Sequence, residues 1–293
     1  MKELNFKVDK EKCIHCGLCI NDCIASVLEF NKDKIPETLA PNRCIGCQHC
    51  LSVCPVGAIS IFNKNPDESV QPMEINPEII LNLIQTRRSI RKYKKENVDK
   101  ETMQKLKNML NWVPTGCNFH GLHFSFIDDI RVMNEFRDYV NKKIIDGLVK
   151  NPVKLIGDKF SHYTKAFLRG DDVIFRGAPH LLVVSNSLKA PCAKEDAIIA
   201  LSYFELYAQS LGIGTCWCGF GQMCMMLFPE LSEYLEIPEE YKSEYVMLFG
   251  PKDITYKRAV QPEKYNIISA GKKEFSDLPF IKKIKRFFRN LIK

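Results

Sequence analysis

A chain of 293 residues with 45% apolar content holds enough material for one full-sized core and a smaller module, so two domains are expected. It contains no apolar run of the roughly 18 to 20 residues that a bilayer span needs, and residues 1–12 are charged rather than signal-like. The formal charge of +7 rests largely on Lys282, Lys283, Lys285, Arg286, Arg289 and Lys293, with no acid after Asp277. A nearly neutral body with a basic end is not the footprint of a nucleic-acid-binding domain, and the expected location is the cytoplasm.

The thirteen cysteines, in a chain without a signal-like start, read as reduced thiols for metal binding rather than as disulfides. Eight of them form an internal repeat: Cys13, Cys16, Cys19 and Cys23 recur as Cys44, Cys47, Cys50 and Cys54, each 31 residues further on. After each quartet comes a short alternating stretch, Val27-Leu28-Glu29-Phe30 and then Ala58-Ile59-Ser60-Ile61, that predicts a strand. Residues 1–62 therefore read as a duplicated loop, helix and strand. Cys117, Cys192, Cys216, Cys218 and Cys224 look mostly like small core residues.

A [4Fe-4S] cube offers four iron corners. Cysteines in Cys-x-x-Cys-x-x-Cys spacing wrap one face, and the fourth thiolate arrives from elsewhere. Zinc is the competing ligand, but two complete four-cysteine runs exceed what it needs. The segment resembles the bacterial two-cluster ferredoxin family. That resemblance implies crossed ligation, with Cys13, Cys16, Cys19 and Cys54 on one [4Fe-4S] cluster and Cys44, Cys47, Cys50 and Cys23 on the other. The second quartet is followed by Pro55, as is usual in the family, and the first by Ile24, so the two sites should be unequal. With a thiolate at every corner, His15 and His49 are expected on the surface.

Residues 63–76 are polar and hold Pro66 and Pro72, which predicts a linker. A second domain, 77–270, opens with helices over 78–86 and 99–112, the latter with Asp99 as N-cap and Met103, Leu106 and Leu110 as its apolar stripe. Strands follow at 123–127, 180–185 and 245–249, separated by helices near 132–150 and 195–211. In the last helix Ala197, Ile198, Leu201, Phe204, Leu206, Ala208 and Leu211 leave little polar face, so burial is expected, with Gly212 as its C-terminal cap. Helices and strands are mixed and helices outweigh strands, which makes the class α+β.

Arg87-Arg88-Ser89-Ile90-Arg91 gathers three guanidinium groups and a hydroxyl, either an oxyanion site or a solvated basic face. It is followed by Pro114-Thr115-Gly116-Cys117-Asn118, by Gly177-Ala178-Pro179 leading into a strand, and by Gly212-Ile213-Gly214-Thr215-Cys216-Trp217-Cys218-Gly219. On these four segments, in this order, the domain resembles the nitroreductase family of FMN flavoproteins, which implies a three-layer fold and a homodimer with FMN at the interface. The resemblance places Arg87, Ser89 and Arg258 on the FMN phosphate and ribityl chain, with Arg88 assisting, and Arg91 near the pyrimidine edge. In the segment that begins at Pro114, Thr115 and Asn118 would reach the flavin of the partner subunit. The backbone of Trp217, Cys218 and Gly219 would lie beside the flavin N5. Core packing and a turn are the alternatives for Trp217 and Gly219, and a turn role after Pro114 is the alternative for Asn118.

Where the family commonly continues Gln-Pro-Trp, this chain has His120-Gly121-Leu122, which changes the substrate pocket and makes His120 a candidate proton donor. No Gly-x-Gly-x-x-Gly fingerprint follows a strand, so NAD(P)H would have to stack on the flavin directly. The extension 271–293 places Phe280, Ile281, Ile284, Phe287, Phe288, Leu291 and Ile292 in one helical sector and six cations in the other. Such a helix suits an anionic membrane surface or an acidic partner, or it docks across the dimer partner. The expected function is reduction of an organic acceptor (nitro, quinone or activated alkene) by electrons that pass from two [4Fe-4S] clusters to FMN, with ferredoxin or NAD(P)H as donor. The alternative is an electron relay or redox sensor acting on a protein partner. Low-potential clusters suggest an anaerobe, and the substrate pocket is expected to draw on two subunits and on the irregular stretch 151–172.

Overall fold

The computed structural model describes residues 3–150, 163, 166, 169–270 and 280–291. Most of the stretch 151–172, and residues 271–279 of the extension, lie outside the described residues. The chain divides into two compact units, Met1–Ala259 and Val260–Lys293.

The N-terminal module is built from very short elements because its cysteines dictate the backbone. Strand β1 (Lys7–Val8) precedes the first motif, and α1 (Leu18–Asn21) is a single turn entered from Gly17 in the left-handed conformation, φ 75°. Strands β2 (Leu28–Phe30) and β3 (Pro36–Thr38) form an antiparallel hairpin pairing Leu28 with Thr38. Its turn is closed by Asn31 Oδ1, which accepts from the Asp33 and Ile35 amides. The second motif repeats the pattern: Gln48 at φ 60° opens α2 (His49–Ser52), and β4 (Ile59–Ser60) pairs antiparallel with β1. The β1–β4 pairing brings the two ends of the module together. Cys19, Val27, Leu28, Leu51, Ile59 and Ile61 form its small core, and Val27 and Leu28 stand 31 residues before Ala58 and Ile59, which are also buried.

Helix α3 (Pro77–Thr86) follows, capped by Asn76, whose Oδ1 accepts from the Glu78 amide, and started by Pro77 at its first position. Helix α4 (Lys100–Met109) is capped by Asp99 through Thr102 N at 2.9 Å and buries Met103 and Leu106. A tighter 3-10 turn over Leu110–Trp112 then buries Leu110. The main sheet contains β5 (Leu122–Ile127), β6 (His180–Ser187), β7 (Ile213–Trp217) and β8 (Tyr241–Pro251) in the order β5-β6-β8-β7, all antiparallel. Helix α5 (Ile130–Lys150) separates β5 from β6, α6 (Ala193–Ser210) separates β6 from β7, and α7 (Gly219–Leu227) and α8 (Glu230–Tyr234) lead into β8. Gly212, at φ 78°, ends α6 with its amide on the Gln209 carbonyl.

Strand periodicity explains the layers. Leu181 and Val183 of β6 pack with Met133, Phe136, Val140 and Ile144 of α5, whereas Leu182 and Val184 pack with Leu106 of α4 and Ala197, Leu201 and Phe204 of α6. Both faces of the sheet are covered, giving three layers, and β6 is buried along its whole length because helices lie above and below it. The second unit contains α9 (Phe280–Leu291), with Ile284, Phe287, Phe288, Arg286 and Arg289 exposed. No described helix is long and apolar enough to cross a membrane.

His180, fully buried at the start of β6, accepts the Val98 amide on Nε2 at 2.9 Å, and burial pushes its pKa down to about 4. The unfolded chain takes up this proton near pH 6.5 and the folded chain near 4, so the stability is complete above the first value and is lost as pH falls toward the second. Denaturation midpoints between pH 6.5 and 5 should fall by the equivalent of about 2 kcal/mol, and a His180→Asn variant should lose that part of the slope.

Candidate functional site

The eight motif cysteines ring two cavities in the N-terminal module. Cys13, Cys16, Cys19 and Cys54 line one, with Pro36, Val56 and Ile59. Cys23, Cys44, Cys47 and Cys50 line the other, with Leu4, Phe6 and Ile61. Cys54 thus stands with the first triplet and Cys23 with the second, an exchange produced by the β1–β4 pairing and the 31-residue repeat.

Backbone amides point at the sulfurs in matched positions: Val27 N to Cys23 Sγ at 3.3 Å and Ala58 N to Cys54 Sγ at 3.2 Å, with Gly46 N to Cys44 Sγ at 3.4 Å. Such donors stabilise thiolate sulfur, and four sulfurs around each cavity are the donor set a cubane requires. Burial pushes the Cys19 thiol up, and burial followed by repulsion from Cys47 and Cys44 pushes Cys50 up to about 12. His15 and His49 are exposed: His15 Nδ1 bonds the Lys34 carbonyl at 2.9 Å, and His49 Nδ1 meets Asp22 Oδ2 at 3.1 Å.

In the second domain the arginine run 87–91 lies along β7. Ile90 N donates to Thr215 O at 2.8 Å, and Ser89 faces Thr215 across a parallel bridge. Gly214 makes this approach possible, since a Cβ there would stand 2.7 Å from Ile90 Cγ1. Pro179 closes on the same region from another side, its ring occupying the space that a Cβ on Gly250 would need. Segment 114–118 docks on the start of α6: Gly116 N donates to Asp196 Oδ1 at 2.7 Å, and Thr115 Oγ1 accepts the His120 amide at 3.0 Å. Asn118 Nδ2 donates to the carbonyl of Ile45, in the second cysteine motif, at 2.9 Å.

The carboxylate of Glu205, on α6, gathers this arrangement. At 6% exposure it accepts from Arg87 Nη1 at 3.2 Å, Thr215 Oγ1 at 3.2 Å and Trp217 Nε1 at 3.1 Å. Arg88 donates through Nη1 to the Arg87 carbonyl, while its Nη2 is buried with no hydrogen-bond partner. An orphaned guanidinium nitrogen beside Arg87, Ser89 and Arg91 suits a phosphate oxyanion. Trp217 packs edge-on against Tyr245 at 5.3 Å, and Gly219 is open, the nearest atom to a Cβ there being Tyr245 Oη at 3.6 Å. Cys218 turns its side chain into the core, where burial pushes the thiol up to about 12, so only its backbone is available to a ligand. Arg258 is exposed after β8, and His120 is exposed with a left-handed backbone, φ 53°. Of the five remaining cysteines, Cys216, Cys218 and Cys224 are buried, Cys192 is intermediate and Cys117 is exposed.

Comparison with known proteins agrees with this geometry. The model of the Nitroreductase family matches residues 84–251. This chain belongs to the nitroreductase family. A 4Fe-4S dicluster domain matches residues 6–61, so the nitroreductase domain is preceded by a ferredoxin-type one and the chain is an FMN and iron–sulfur oxidoreductase by family. Ferredoxin-3 of Nostoc sp. is 35% identical over 79 residues, 21% of this chain and 78% of the relative. Iodotyrosine deiodinase of Thermotoga neapolitana is 22% identical over 179 residues, 60% of this chain and 90% of that protein. Several curated relatives are spanned far less, an archaeal-type glutamate synthase over 15% of its length. A nitroreductase with bound FMN from Desulfitobacterium hafniense superposes with a TM-score of 0.54 at 23% identity, covering 68% of this chain and all of that one, which shows the fold.

Sequence reasoning missed two carboxylates of this nitroreductase domain, Glu205 and Asp196. Both sit on the buried face of a helix read as apolar, and an acid on such a face was the available signal. Glu205→Leu should strand Arg87 and Trp217 Nε1 and lower stability by roughly 3 kcal/mol. Glu205→Gln, which keeps an acceptor oxygen, should lose markedly less. Chemical denaturation followed by circular dichroism checks both.

Proposed function

We propose that this protein is a ferredoxin-fused, FMN-dependent reductase that takes electrons singly from reduced ferredoxin through its clusters, or as a hydride from NAD(P)H at the flavin, and delivers pairs to an organic acceptor of the nitro, quinone or activated-alkene class. The observation that carries the reading is the coexistence, in one compact unit, of two four-thiol cavities and an arginine run fixed on β7 with a buried, unpartnered Arg88 nitrogen. Two [4Fe-4S] clusters would be held by Cys13, Cys16, Cys19 and Cys54 and by Cys44, Cys47, Cys50 and Cys23. FMN would be held by Arg87, Arg88, Ser89, Arg91 and Arg258, with the backbone of Trp217 to Gly219 beside its ring. Clusters supply electrons singly, whereas flavin exchanges one or two, which is the chemistry such a fusion requires.

The chain's own residues do the positioning. Glu205 holds Arg87, Thr215 and Trp217 in one register, and Arg91 is exposed next to it as a cation for the pyrimidine edge. Thr115 accepts the His120 amide, and its hydroxyl proton stays available to the partner subunit's flavin. A homodimer is supported by α3, which buries none of its residues and exposes Ile79, Ile80, Leu81 and Ile84, near the exposed Ile199 and Tyr203 of α6.

Anaerobically purified protein should contain about eight irons and about one FMN per chain and run as a dimer. It should reduce nitroaromatics or quinones when driven by reduced ferredoxin or NADPH. Intact cofactors with no turnover from either donor would replace the enzyme reading with that of a relay or sensor for a protein partner.

The exposed Ile284, Phe287 and Phe288 of α9, with Arg286 and Arg289 exposed on the same helix, support contact with an anionic membrane surface. Full-length protein should sediment with vesicles rich in anionic lipid, and a chain ending at Pro279 should not. Equal sedimentation of the two disposes of the membrane contact.

A further inference from the structure

The duplicated motifs can be compared residue by residue. Cys13-Ile14-His15-Cys16 becomes Cys44-Ile45-Gly46-Cys47. His15 and Gly46 hold the same left-handed backbone, φ 55° and 72°, but the two loops then diverge. In the first, the His15 ring folds back onto the Lys34 carbonyl, inside the module. In the second there is no side chain, and a Cβ on Gly46 would stand 3.7 Å from Asn118 Nδ2 and 3.7 Å from the Phe62 ring. Asn118 uses this opening to bond the carbonyl of the preceding residue, Ile45, at 2.9 Å across 73 residues of sequence.

The exposure of equivalent residues follows the same asymmetry. Ile14 is 58% exposed and Ile45 41%, while Cys16 is exposed and Cys47 half-buried. On the other side of the contact, Cys117, Asn118 and His120 all have positive φ, 54°, 53° and 53°, a conformation that non-glycine residues hold only when their surroundings fix it. Here Asp196 holds Gly116 N, Thr115 holds His120 N and Ile45 holds Asn118.

We propose that Asn118 is a positioning residue that seats the second cysteine loop, 44–50, and not the first, against the flavin domain. The loop 13–19 keeps its solvent face, where a donor protein would meet it. This inference rests on the redox reading above.

The test uses full-length protein carrying its iron and flavin. Asn118→Ala should speed amide hydrogen exchange in 43–49 at least tenfold and leave 12–18 unchanged, with iron content as in the parent. In stopped-flow experiments with reduced ferredoxin it should also slow the appearance of reduced flavin about tenfold. Asn118→Gln, which keeps the amide donor, should restore much of both. Gly46→His, copying the first motif into the second, should reproduce the Asn118→Ala exchange pattern by displacing the amide. Unchanged exchange in 43–49 for both Asn118→Ala and Gly46→His, or equal loosening of both loops, overturns the proposal, as does an unchanged transfer rate in Asn118→Ala. A parent protein without FMN would instead remove the redox reading, and the exchange comparison would still decide whether Asn118 holds the loop.

Discussion

Glu205 lies on the inner face of α6, where a carboxylate is tolerable only because three donors converge on it. Those donors come from the run before the sheet, from the middle of β7 and from its end, so one buried group sets the register of three chain segments. The Ile90 amide on the Thr215 carbonyl and the missing Cβ of Gly214 complete the same junction. If the carboxylate were absent, Arg87 and the Trp217 indole would each seek water, and the cationic run would separate from the strand beside which a flavin ring would lie. The arginine positions thus depend on an acid that does not itself present charge to the ligand.

The N-terminal module obeys a different constraint. Its core amounts to a few side chains around Val27, Leu28, Leu51 and Ile59, too little to hold some 60 residues by apolar burial alone. Exchange of Cys23 and Cys54 between the two quartets makes each cavity depend on both halves of the repeat. Metal bound at either cavity would therefore contribute folding free energy to the whole module, and the β1–β4 pairing joins the two ends whose cysteines are exchanged.

Much of this was legible because local rules and tertiary structure agreed. The cysteine repeat, the Asp99 cap, the Met103, Leu106 and Leu110 stripe, the burial of α6 and the Gly212 cap each rest on residues a few positions apart. Strands β5, β6 and β8 were found by their apolar content, though β8 extends well before residue 245 because β6 continues to pair with it. Several elements escaped, β1 and α8 among them. Strand β7 is only five residues long and is interrupted by Gly214, α7 begins Gly-Phe-Gly, and β3 begins with a proline; each is fixed by the strand or helix it pairs with or packs on rather than by its own propensity. Glu205 and Asp196 escaped for a related reason: Arg87 and Gly116, which donate to them, lie 118 and 80 residues away, and a helical projection shows a buried acid without showing what satisfies it.

The contact between Asn118 and Ile45 is the extreme of that limit, and it bears on why the two domains share a chain. Linking donor and acceptor modules raises their effective concentration, but a flexible tether alone leaves orientation to chance. Electron exchange between a one-electron and a two-electron centre depends on distance, so orientation matters as much as proximity. A hydrogen bond from a left-handed asparagine to a loop cleared by glycine supplies that orientation with little buried area. It would also let duplicated motifs with the same four thiols acquire different roles: the exchange of His15 for Gly46 between the first two cysteines is one of several differences between them, and it leaves every thiol in place.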